Sequence, residues 1–287
     1  MRLGVPGPED LRAGLTRRLE AEGTMAQADA IIERPVRHEE GDAPLDWLGK
    51  PVSCADCPHE ETRVAGRCDL GRSCVMDRRG RRIDRFFSAN PAQAERYLRH
   101  PYFEVRALAA RYASPFRLPA LVDDPEPEVR AMVALRLPLA RVMALRTDPE
   151  ARVRIALATR LDGDDLALLF TDGDEAVRLA AARRAPPALL LRLTGDPSPL
   201  VRREAARRLD DHLLPLMAGD AEPLVRIEVA ERLAPERLHL LAGDADFRVR
   251  FVVAERIVAG DLGDLLGDPE PAVREAALTR IAAAGEG

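Results

Sequence analysis

The stretch Asp124-Pro125-Glu126-Pro127-Glu128-Val129-Arg130-Ala131-Met132-Val133-Ala134-Leu135-Arg136-Leu137 decides the fold, because its frame returns every 24 residues. Its Val-Arg pair recurs with Val105, Val129, Val153, Val177, Val201, Val225, Val249 and Val273, each followed by arginine. A strict period between about 20 and 50 residues marks a stacked array in which each unit buries its apolar face only against its neighbours. Such arrays present surface rather than perform chemistry, so function shifts toward binding and any chemistry is expected outside the repeat.

Each column of the repeat has its own physical task. Five residues before the Val-Arg pair stands an aspartate, from Asp124 and Asp148 through Asp268. Proline follows in four units, at Pro125, Pro149, Pro197 and Pro269. Aspartate accepting free amide bonds, with proline at the first helical position, is a helix-start signal. After Val129 come Val133, Ala134 and Leu137, apolar at helical spacing, and Val153, Leu157, Ala158 and Leu161 repeat them. An alanine column (Ala110, Ala134, Ala158, Ala182, Ala206, Ala230, Ala254) breaks only at Leu278 and implies close approach between helices. Each unit therefore holds one helix of about a dozen residues. The remainder is a turn and a Leu-x-x-Leu segment, as at Leu166 and Leu169 or Leu190 and Leu193, short enough for a 3₁₀ turn.

The cysteines fall in one place. Cys54, Cys57, Cys68 and Cys74 form C-x₂-C-x₁₀-C-x₅-C, and none follows. The N-terminus carries no apolar signal segment and no run is long enough to span a membrane. A cytoplasmic location is expected, where clustered cysteines indicate metal rather than disulfides. Spacing leaves the metal open: zinc sites pair two C-x₂-C knuckles, and only the first half has that form. Four thiolates suit an iron–sulfur cluster equally. His59 is a possible nitrogen ligand, but beside a complete cysteine set it is read as a bystander.

The repeat from Asp124 to Leu137, together with the four cysteines, resembles the leucine-rich repeat variant family over roughly residues 50 to 281. The resemblance implies an all-α, right-handed superhelical solenoid alternating α and 3₁₀ helices, preceded by a small module holding a 4Fe-4S cluster through Cys54, Cys57, Cys68 and Cys74. It also implies association with nitrogen-fixation systems, near metallocluster assembly or electron supply.

Three segments follow: an N-terminal extension 1–45, the four-cysteine module 46–80, and the array 81–287. The extension contains Pro8 to Glu22, with Leu11, Leu15 and Leu19 at helical spacing, then a charged linker from Arg37 to Gly41. A degenerate first unit (Pro91, Ala94, Tyr97, Leu98) joins module to array, with Phe86 where alanine normally stands. The module then also serves as an N-terminal cap. The last helix runs through Ile281 into Ala-Ala-Ala-Gly-Glu-Gly, an end face open to self-association or a partner.

Lys50 is the only lysine, and arginine forms two columns. The Val-Arg column has an acidic residue four positions earlier in most units, as in Glu126 to Arg130, a favourable helix pair. The second column (Arg136, Arg160, Arg184, Arg208, Arg232, Arg256, Arg280) lies near helix C-termini, where cations suit the dipole. Ladders of Asp and Arg between layers account for both. The formal net charge of −5 argues against a nucleic-acid domain. The strongest basic run, Arg78 to Arg85, abuts the cysteines and could dock an acidic partner.

No Ser/His/Asp ordering, phosphate loop or dinucleotide fingerprint is present, so no enzyme is expected. The leading expectation is a 4Fe-4S protein whose array grips an unidentified protein partner. The alternative is a zinc- or cluster-stabilised helical-repeat binder of nucleic acid.

Overall fold

A computed structural model describes residues 43–55 and 57–285, which form two compact units, 43–162 and 163–285. The expected helix at Pro8 to Glu22 and the linker after it lie outside the described residues. Among the described residues there is no strand, only two isolated bridges, Leu45 to Pro51 and Asp69 to Ser73.

The first unit opens with the short helix Glu60–Val64 and the helix Gly80–Ala89. The 3₁₀ helix Pro91–Tyr97 follows, and then the α-helices Phe103–Tyr112, Pro127–Arg136 and Ala151–Ala158. The second unit carries the α-helices Glu175–Arg184, Pro199–Arg208, Pro223–Arg232, Phe247–Arg256 and Pro271–Gly285. From Gly80–Ala89 onward a 3₁₀ segment lies between consecutive long α-helices, as at Pro115–Leu121 or Pro235–Leu241, sometimes preceded by one α-turn, as at Pro187–Leu190. Within each unit every α-helix of the array packs on its successor.

The apolar columns become the layers of the core. Val105, Val129 and Val153 in the first unit, and Val177, Val201, Val225, Val249 and Val273 in the second, are all buried. The alanines beside them, from Ala110 to Ala254, are buried too, letting helices approach closely. The first leucine of each Leu-x-x-Leu segment (Leu118, Leu166, Leu190, Leu214, Leu238, Leu262, with Val142 in its place once) is fully buried. Each such side chain contributes about 1.5–3 kcal/mol by leaving water, so the short segment is a full partner in every layer.

The helix start differs from the sequence expectation. The helices begin two residues later, after Glu126, Glu150, Asp174, Ser198, Glu222 and Asp246, with Pro127, Pro199 and Pro223 at the first position. The recurring aspartate lies just ahead of the helix, where its Oδ1 accepts the N–H two residues on, as from Glu126 to Asp124 at 3.0 Å and from Glu222 to Asp220 at 2.9 Å. Its carboxylate also receives the arginine of the preceding Val-Arg pair through two parallel bonds. Arg106 meets Asp124 at 2.9 and 2.8 Å, and Arg202 meets Asp220 at 2.7 and 2.8 Å. Arg130–Asp148, Arg178–Asp196, Arg226–Asp244 and Arg250–Asp268 repeat the pairing. A planar guanidinium fork matches a carboxylate in this way, and a bidentate bond inside the stack outcompetes a pair with Glu126 on the helix surface. The third guanidinium nitrogen binds carbonyls ahead of its own helix, as from Arg202 to Asp196 O at 2.9 Å.

The second arginine column also acts between layers. Arg136 donates to Ala113 O at 3.0 Å, Arg160 to Leu137 O at 2.6 Å and Arg208 to Ala185 O at 2.6 Å. These carbonyls close the helix of the preceding repeat, so the favourable dipole contact is with that helix rather than the arginine's own.

Candidate metal centre

The four cysteines are carried by three short backbone devices. Cys54 and Cys57 share a tight turn, with Cys57 N–H donating to Cys54 O at 3.3 Å. The helix Glu60–Val64 then leads the chain back, and Arg67 N–H donates to Thr62 O at 3.0 Å just before Cys68. Asp69 and Ser73 exchange backbone bonds at 2.9 and 2.8 Å across a loop whose Gly71 has φ 82°, a left-handed conformation that suits glycine. The loop brings Cys68 and Cys74 to its foot, and Cys74 N–H is held by Arg82 O at 3.0 Å.

All four cysteines are free thiols; Cys54 and Cys57 are half-buried, Cys68 and Cys74 buried. Burial pushes the Cys68 thiol up to about 12, helped by the nearby charges of Cys74, Cys57 and Cys54. Burial also raises Cys74, opposed by backbone N–H bonds from Met76 and Asp77 and reinforced by Cys57. Cys68 thus lies within electrostatic reach of the other three cysteines. Among the described residues, no group of three or more His, Cys, Asp or Glu side chains stands close enough together to hold a metal ion. The donor chemistry nevertheless fits a metal–sulfur group: soft, clustered thiols resist ionising alone, and a bound cationic core is what draws their protons off.

His59 lies outside this donor set. It is buried, its Nε2 pairs with the Tyr97 hydroxyl, and its ring meets Phe86 edge-on at 4.9 Å. Burial, with the charge of Arg96, lowers its pKa. Phe86 and Phe87 are fully buried beneath it, and Asn90 donates to Arg67 O at 2.8 Å and to Phe86 O at 2.9 Å. Sequence reasoning did not single out Asn90, and it noticed Tyr97 only as part of a degenerate repeat. The available signal was that aromatic residues break two columns of that unit, Phe86 standing where later units have alanine and Tyr97 where they have leucine or methionine.

The basic run beside the cysteines is partly engaged inside the module. Arg82 is buried against Asp77 at 2.6 Å, and Arg85 donates to Arg72 O at 3.3 Å. Arg78 and Arg81 are exposed and Arg79 half-buried. Trp47 stacks on Tyr102 at 6.4 Å, and the Tyr102 hydroxyl donates to Arg78 O at 3.1 Å. The run thus ties the module to the helix Phe103–Tyr112 as much as it charges the surface.

Comparison with known proteins agrees with this geometry. Residues 44–96 match the family model described as the LRV protein FeS4 cluster, and residues 175–198 match that of the leucine-rich repeat variant. A Rhodobacter capsulatus protein, named an uncharacterized 27.7 kDa protein in the nifB 3' region, is 51% identical over 85 residues. That match covers 30% of this chain and 35% of the relative, so the chain spans about a third of that protein's length. A solved structure described as a leucine-rich repeat variant with a novel repetitive protein structural motif superposes with a TM-score of 0.72 at 39% identity. The superposition covers 80% of this chain and 98% of that one. The all-α solenoid of 24-residue layers and the iron–sulfur module at its head follow from these matches, and the chain belongs to the leucine-rich repeat variant family.

Proposed function

We propose that Cys54, Cys57, Cys68 and Cys74 hold a 4Fe-4S cluster, and that the chain is a non-enzymatic scaffold whose array binds a protein partner. The observation that carries this reading is four free thiols, two half-buried and two buried, within the short segment that matches the FeS4 model. When bound, the cluster supplies a one-electron redox or sensing centre. Four protein thiolates leave no open iron position for substrate, which favours a binding role over catalysis. In the varying column Leu108, Met132, Ala156, Ala180, Glu204, Glu228, Val252 and Ala276, partner specificity is assigned to the half-buried Leu108, Met132 and Glu204, since the other five are buried. Glu204 and Glu228 are the charged members of that column, and buried Glu228 accepts from Arg203 at 3.2 Å and Arg207 at 3.3 Å. A role beside nitrogen fixation is supported by the nifB-region placement of the Rhodobacter capsulatus relative. The reading places the protein in the cytoplasm, where clustered thiols stay reduced.

Anaerobic purification with iron, sulfide and zinc analysis tests the cluster. A brown protein with about four irons per chain, lost on replacing the cysteines with alanine, is the expected outcome. A colourless protein with one zinc overturns it. The nucleic-acid alternative relied on the arginine columns, whose guanidinium groups are paired with aspartates and carbonyls inside the stack. Salt-dependent retention on heparin would revive it.

A further inference from the structure

We infer that Asn90 and Tyr97, two side chains of the array's first unit, are positioning residues of the cluster site. This rests on the reading that the four cysteines hold the cluster. Asn90 closes the helix Gly80–Ala89 and opens the 3₁₀ helix Pro91–Tyr97, and it is only 5% exposed. Its amide nitrogen bonds two carbonyls. One is Phe86 O, on its own helix, at 2.9 Å; the other is Arg67 O, on the peptide joined directly to Cys68, at 2.8 Å. The residue before Cys68 is thereby fastened on both sides, by Thr62 O at its N–H and by Asn90 at its carbonyl.

Tyr97 serves the other cysteine pair. Its hydroxyl pairs with Nε2 of His59, two residues after Cys57, while its ring packs on Phe86 and Phe87 at centroid distances of 6.4 and 5.6 Å. The third connection is the Cys74 N–H on Arg82 O of the helix Gly80–Ala89. Cys57, Cys68 and Cys74 are thus each tied, directly or through a close neighbour, to the helix pair 80–97. Cys54 follows through its turn with Cys57. A cluster needs four sulfurs at fixed positions at once, and outer groups that hold ligand-bearing loops are worth about 10–100-fold in metal affinity. The cluster site is therefore built jointly by the cysteine loops and the first layer of the array.

Two isosteric variants of the full chain test this. Asn90→Asp keeps the shape but removes the donor, and Tyr97→Phe keeps the ring but removes the hydroxyl. Gln93→Ala, on the same 3₁₀ helix, is the control. The protein is reconstituted anaerobically with iron and sulfide, and iron release to a strong chelator is followed beside the electron paramagnetic resonance spectrum of the reduced protein. Asn90→Asp should release iron about tenfold faster and Tyr97→Phe about fivefold faster, the worth of one net hydrogen bond. Gln93→Ala should match wild type. Thermal unfolding of each metal-free chain separates positioning from simple destabilisation, because a merely structural role lowers metal-free stability without a further loss in the loaded protein. Wild-type release rates and spectra in both isosteric variants, or loss explained wholly by metal-free stability, overturn the inference. A wild-type chain that takes up no iron and sulfide instead overturns the cluster reading on which it rests.

Discussion

Replacing Asp220 with alanine tests the energetic logic of the array. Its carboxylate accepts Arg202 Nε at 2.7 Å, Arg202 Nη2 at 2.8 Å and the Glu222 N–H at 2.9 Å. The Asp220 and Arg202 side chains are only 6% and 14% exposed, so little solvent screens the pair. Alanine leaves the Arg202 guanidinium without its anion and the Glu222 N–H without its acceptor. Removing one partner of a buried pair costs about 3–5 kcal/mol, because the remaining charge is uncompensated. The milder change Asp220→Asn keeps one acceptor and should fall between. Stability in repeat proteins is close to a sum of unit and neighbour terms, so the loss should be local to the helices Pro199–Arg208 and Pro223–Arg232. Urea unfolding with hydrogen exchange read by mass spectrometry resolves this location. The pH dependence gives a second reading. Burial alone would raise the Asp220 carboxyl, but the Arg202 bonds, the Glu222 N–H and the nearby arginines lower it overall. A depressed carboxyl contributes stability that is fully present above the unfolded value of about 3.9 and is lost as pH falls through the folded value. The wild type should therefore lose this increment on acidification below about pH 4, and the alanine variant should lack that part of its acid sensitivity. A loss under about 1 kcal/mol, or opening spread evenly over both units, would refute the claim that the Asp–Arg ladder holds neighbouring layers together.

Three further outcomes are expected. Gly80→Ala should change the stability of the first unit by less than about 1 kcal/mol, read by thermal unfolding, because the added Cβ meets only the movable end of the Glu104 side chain; a larger loss would show that Glu104 is held rigidly. Leu118→Ala should cost about 2–5 kcal/mol while Phe116→Ala, two residues earlier on the same 3₁₀ helix, should stay within about 0.5 kcal/mol, since Leu118 is 0% and Phe116 93% exposed. Equal effects in a denaturant titration would contradict the layer assignment. Removing iron with a chelator should raise hydrogen exchange first in residues 44–97, with uniform exchange along the chain as the contrary result.

The layer composition was legible in the sequence because it depends on period alone. A 24-residue frame places valine, alanine and leucine at the same depth in every unit, so Val129, Ala134 and Leu137 could be assigned to the core without coordinates. The four cysteines were legible for a similar reason: they are near neighbours in the chain, and their residue type carries the chemistry. Ladders of Asp and Arg between layers were expected from the sequence and are present for the Val-Arg column; what spacing left undecided was which groups pair. Asp124 reads locally as a helix cap, yet it belongs to Arg106, 18 residues earlier and one layer away. Arg160 reads as a charge on its own helix end, yet it closes the helix of the preceding repeat. Asn90 and His59 show no periodicity at all, and only folding brings them to Arg67 and Tyr97. Apolar burial follows spacing along one helix, whereas a hydrogen bond needs two groups within about 3 Å, often from distant parts of the chain. The sequence by itself determined the stack and its metal-binding head; the tertiary structure decided which charges join the layers and which side chains hold the cysteine loops in place.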